Sequence, residues 1–144
     1  MIQFEVNGFD IPLQTEADAS WLYQVAKSEG KELRELNLQF FSDEGLHQMN
    51  VQFLEHDTYT DIITFDRCRG DIIKGDLAIS WERIIDHARE YKVDPIHELH
   101  RVMVHGLLHL CGYGDKSDSD IEIMRSKELY YLNQHPNCST WNIM

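Results

Sequence analysis

The chain has 144 residues, 42% of them hydrophobic and 26% charged, a balance that suits one globular unit and excludes the disordered, collagen-like and fibrous classes. Its 25 acidic and 13 basic residues give a formal net charge of −12, which repels nucleic acid at long range unless cations gather locally. No run of about 18 apolar residues is available to cross a bilayer, and the opening MIQFEVNGFD has no basic, apolar leader, so a cytoplasmic location without membrane contact is expected.

The first element is a strand over residues 2–6, where Ile2, Phe4 and Val6 alternate before an Asn7-Gly8 turn. Trp21, Val25 and Ala26 recur at helical spacing over 16–29, with Gly30 as the stop. Leu36, Leu38 and Phe40 alternate again in a second strand, and Ser42 is placed to cap a second helix carrying Leu46, Met49 and Phe53. TDIITF (60–65) and GDLAIS (75–80) read as two further strands joined by a polar segment. A third helix starts at Ser80. Asp94-Pro95 caps a fourth, strongly apolar one reaching about residue 111, and Ser117 or Asp118 opens a fifth over about 117–133. The tail after it reads as irregular, with Trp141 and Ile143 available to dock on the body. Strands early and helices later predict an α+β fold, a small mixed sheet of about four strands packed with about five helices. Cys68, Cys111 and Cys138 form no CxxC pair, which suits packing roles in a reducing compartment.

The chemistry concentrates in HGLLHLCGYGD, residues 105–115. On a helix, His105 and His109 lie about 40° apart around the axis, one turn apart along it, and share a face. Gly112 suits a left-handed helix end that folds the chain back, bringing Asp115 beside the two rings. Two nitrogens and one oxygen with a coordination position left open are the donor set of a catalytic zinc. The competing reading is a buried helix whose histidines bond to backbone or carboxylates. The spacing parallels the H-E-x-x-H-x-x-G-x-x-H metalloprotease pattern, with Met124 as a counterpart of its Met-turn, but Gly106 stands where the glutamate base belongs and Asp115 where the third histidine belongs. Peptidase chemistry is therefore disfavoured. His97 and His100 lie about 80° and 140° around the helix from His105, so solvated or capping roles suit them, and likewise His47, His87 and His135. His56, in the loop before TDIITF, fits either role.

With its neighbours, this stretch resembles the H-G-x-L-H-L-x-G-Y-D-H signature of the YbeY-type rRNA maturation endoribonucleases. The likeness extends to MN, TDIITF and GDLAIS upstream, and to Met124 and Glu128 downstream, covering roughly residues 33–130. It implies a single metallo-endoribonuclease domain over 1–144, with one Zn²⁺ on His105, His109 and Asp115. It implies single-strand-specific cutting of RNA in maturation of the small-subunit rRNA three-prime end, ribosome quality control, and RNA or a ribosomal subunit rather than DNA as partner. Asp115 stands where the family has its last metal histidine and Gly114 where it has aspartate. Leu54 stands where an arginine, a presumed substrate contact, is usual; Arg67, Arg69 and Lys74 are the candidate substitutes. The three metal ligands would act through a metal-bound water. Asp57, Asp61 or Asp76 is a further proton acceptor, although turn or cap chemistry suits each. Two rivals stand beside this reading: a metal-dependent peptidase-like hydrolase, and a non-catalytic ribosome-associated module with a stabilising metal.

Overall fold

The computed structural model describes residues 1–6, 8, 10–54 and 60–136, without the side chains of residues 53 and 54. The elements follow in the order β1 (Ile2–Val6), α1 (Thr15–Ser28), β2 (Glu32–Phe41), α2 (Asp43–Leu54), β3 (Ile62–Asp66), β4 (Ile72–Ser80), α3 (Trp81–Tyr91), α4 (Pro95–Leu110) and α5 (Asp118–Leu132). Among the described residues, four strands and five helices make the expected α+β fold. The strand order is β1-β2-β4-β3; β1 and β4 run parallel to β2, while β3 runs antiparallel to β4 and forms an edge. β4 starts at Ile72, three residues before the expected strand, because Arg69 and Ile72 already pair across the β3–β4 turn.

Capping sets the helix starts as the sequence indicates. The Ser42 hydroxyl accepts from the Gly45 amide at 3.0 Å, Ser80 from Arg83 at 3.1 Å, the Asp94 carboxylate from Ile96 at 2.9 Å, and Ser117 from Asp120 at 3.0 Å. One face of the sheet carries Leu36, Leu38, Ile73 and Leu77 into the main core with α1 and α4. The other face packs Ile63 and Ala78 under Leu46 of α2.

α4 is the central helix and is buried nearly all round. Beyond its first turn, the residues that reach the surface are Arg101, His105 and His109, a stripe at i, i+4 and i+8. Gly106 explains how that stripe is presented. A Cβ there would lie 2.8 Å from both Ile62 and Leu77, so glycine lets the helix settle onto β3 and β4 with its histidines turned outward along the sheet edge. No helix among the described residues is long and apolar enough to cross a membrane.

Candidate metal centre

α4 ends at Leu110, and Gly112 takes a φ of +108°, a conformation that costs other residues a Cβ clash. The turn is pinned by the Gly112 amide on the His109 carbonyl at 3.0 Å and the Tyr113 amide on the Leu108 carbonyl at 3.1 Å. The chain doubles back, and Asp115 meets the two rings. His105 Nε2 lies 3.0 Å from His109 Nε2, while Asp115 Oδ2 lies 3.2 Å from His109 Nε2 and 3.6 Å from His105 Nε2. Donors about 2.0–2.1 Å from a tetrahedral ion stand roughly 3.3 Å apart, so the triangle fits zinc.

The backs of the rings fix their protons. His105 Nδ1 donates to Glu128 Oε2 at 2.6 Å, and His109 Nδ1 donates to the Tyr113 carbonyl at 2.8 Å. With both protons on Nδ1, both Nε2 lone pairs point at each other and at a carboxylate, an arrangement of acceptors that a cation resolves. Sequence reasoning assigns no role to the backing groups. Glu128, almost fully buried on α5, is also reached by Arg101 at 3.3 Å, and Arg101 makes a two-pronged contact with buried Glu98 at 2.8 Å for each arm. Burial opposes the Arg101 charge, but Glu98, Glu128 and Asp61 outweigh it and hold its pKa above the ordinary arginine value. The signal that could have found Glu98 and Arg101 is spacing: they precede His105 by seven and four residues on one face of α4, Glu98 buried and Arg101 reaching the surface.

Beside this triangle lies a cleft of about 610 Å³ that runs along the edge strand, with Asn50, Asp61, Thr64 and Asp66 opposite the histidines. Asp61 thus reaches the cleft. Asp76 does not line it; it accepts from Asn37 at 2.9 Å and Arg67 at 3.2 Å within the sheet, which replaces the expected turn or cap role. Asp57, His56, Trp141, Ile143 and Cys138 lie outside the described residues, as does the Leu54 side chain. Met124 sits inside α5, not in a turn, and with Ile121 lines a smaller cavity behind His105. Arg67, Arg69 and Lys74, the candidate substrate contacts, line a separate pocket together with Arg34 and not the cleft.

Two other groups of histidine and carboxylate gather among the described residues. Asp18, His100 and His135 are fully enclosed, with Asp18 Oδ1 2.8 Å from each Nε2 and the rings stacked at 4.0 Å. The solvated role expected of His100 and His135 is therefore wrong; the side of α4 opposite His105 faces α1, where Asp18 and Trp21 receive the rings. In the group of Asp61, His87 and Glu98, both carboxylates already pair with Arg101, at 3.6 and 2.8 Å. Of the three groups, the His105 triangle opens on a cleft.

The family model for endoribonuclease YbeY matches residues 2–135. An endoribonuclease YbeY of Flavobacterium johnsoniae is 51% identical over 113 residues, covering 78% of this chain and 81% of its own. One of Flavobacterium psychrophilum is 46% identical over 141 residues, covering 94% of this chain and 100% of its own. In fold, the chain is similar to a Thermotoga maritima protein solved in solution, with a TM-score of 0.66 at 24% identity over 93% of this chain and 91% of that one. The matched span takes in the whole of α4, the Gly112 turn and Glu128, and the chain belongs to the endoribonuclease YbeY family.

Proposed function

We propose that this chain, an endoribonuclease by family, is a zinc-dependent enzyme of the cytoplasm that cuts single-stranded RNA, with the three-prime end of small-subunit ribosomal RNA as its substrate and ribosome quality control as its setting. The whole chain acts as one metallo-endoribonuclease domain. The observation that carries this reading is the pair of Nε2 lone pairs converging with Asp115 Oδ2 at the mouth of a cleft. His105, His109 and Asp115 hold the ion, and Glu128 and the Tyr113 carbonyl keep the ring protons on Nδ1. When bound, zinc lowers the pKa of water toward roughly 7 and polarises a phosphoryl oxygen. Asp61, on the cleft wall, is positioned to take up a proton, and Thr64 and Asn50 offer polar groups to the RNA chain. The peptidase alternative is disfavoured at Gly106, whose missing side chain would meet the sheet rather than the site.

Cleavage of an unstructured RNA is expected to be slow, to depend on the metal, to exceed cleavage of a matched duplex, and to be lost in His109→Ala. If His109→Ala cuts as fast as the wild type, the endoribonuclease reading fails for this site.

A further inference from the structure

The sheet carries a cluster of cations apart from the metal cleft. Arg34, Arg67, Arg69 and Lys74 line a pocket of about 400 Å³ at the β3–β4 end of the sheet. The support is rigid: the Arg67 amide bonds the Lys74 carbonyl at 2.9 Å, and Arg69 and Ile72 exchange bonds at 3.0 and 2.9 Å around a two-residue loop. Arg34 joins the group because β2 shifts register between Leu33 and Glu35, so Leu33 and Leu36 both stay buried while Arg34 stands exposed beside the hairpin. Bulges of this kind re-aim one side chain without ending the strand.

Charge is unevenly committed there. Arg34 pairs with Glu32 at 2.8 Å, and Arg67 pairs with Asp76 at 3.2 Å and Glu35 at 3.7 Å. Arg69 and Lys74 have no carboxylate partner among the described residues. Four cations around one pocket, two of them uncommitted, oppose the overall charge of −12. The two sites border each other at the end of β3, where Asp66 lines the cleft and Arg67, the next residue, lines the pocket.

We propose that this pocket is a phosphate subsite for the RNA chain, which passes from the metal cleft around the end of β3 to reach it. The inference rests on the endoribonuclease reading of the metal centre. Short substrates fill the cleft alone, and longer ones also reach the pocket.

The test uses the protein with its bound metal and a cleavage-resistant 2′-O-methyl phosphorothioate RNA of about 12 nucleotides, a length within the range of single-strand sites. In Arg34→Gln with Arg69→Gln and Lys74→Gln, binding is expected to weaken at least ~10-fold, and the slope of log affinity against log salt to fall by about 2, near 0.7 for each phosphate no longer neutralised. Cleavage of a dinucleotide should stay at the wild-type rate. Neutralising Lys27, Arg89 and Lys92 instead should leave the slope unchanged. If the first variant keeps the wild-type slope, or the second drops as far, the subsite is wrong while the endoribonuclease stands. If the wild type neither binds nor cuts single-stranded RNA, the endoribonuclease reading falls and takes the subsite with it.

Discussion

Asp115 offers one of three candidate donor atoms at the proposed metal centre, from a loop that is more exposed than either histidine. Asp115→Ala should therefore weaken zinc binding, while Asp115→His should retain it by restoring a nitrogen donor at the same position; zinc titration of the two variants compares them. Equal affinity for wild type and Asp115→Ala would make Asp115 a loop carboxylate. One shell out, Glu128→Gln keeps an acceptor for His105 Nδ1 but removes its charge, and an affinity loss of about 10–100-fold is expected, as for other groups that orient a metal-bound histidine. The same titration checks it. Residue spacing alone reveals His105, His109 and Asp115, because a helix and a glycine turn bring them together locally. The family likeness reaches Glu128, but its role stays hidden, since its contact with His105 depends on how α5 packs on α4.

Among the helices, α4 explains both the core and the site. Its close approach to the sheet at Gly106 makes Gly106→Ala an overpacking change, expected to destabilise the fold by about 1–3 kcal/mol in denaturant unfolding, with the histidines drawn out of line. An unchanged midpoint would show that Ile62 and Leu77 can yield. The far side of α4 makes the protein acid-sensitive. Burial disfavours the Asp18 carboxylate, but hydrogen bonds from His100 and His135 outweigh it and hold its pKa down at about 2, against 3.8. Stability from a depressed carboxylate is complete above the unfolded value and drains away as pH falls from about 4 to about 2. Burial also lowers the His100 pKa, with Asp18 opposing, so its protonation on unfolding adds a loss that begins below 6.5. Between pH 5 and pH 2 the wild type should lose about 2 kcal/mol more than Asp18→Asn. Parallel pH profiles would leave Asp18 without that role. These buried histidines defeat sequence reasoning because helical angle says which way a ring points, not what waits there. The helix starts are legible because Ser42, Ser80, Asp94 and Ser117 satisfy amides within three residues of themselves.

Across the fold, alternation and helical spacing suffice for the α+β class, but the parallel pairing of β1 and β4 with β2, and β3 at the edge, arise from contacts far apart in sequence. That edge position forms the cleft beside the metal centre and separates it from the Arg34 pocket. Arg34 is silent in the sequence because a single arginine in an alternating strand looks solvated until the bulge turns it toward Lys74. If the outward stripe of α4 serves to hold one metal ion, the ion should stay with the protein through purification. Elemental analysis of protein purified without added metal or chelator decides this, with the wild type beside His105→Ala with His109→Ala. One zinc per chain in the wild type and none in the double variant is the predicted result; no ion in the wild type, or an undiminished one in the variant, would contradict it.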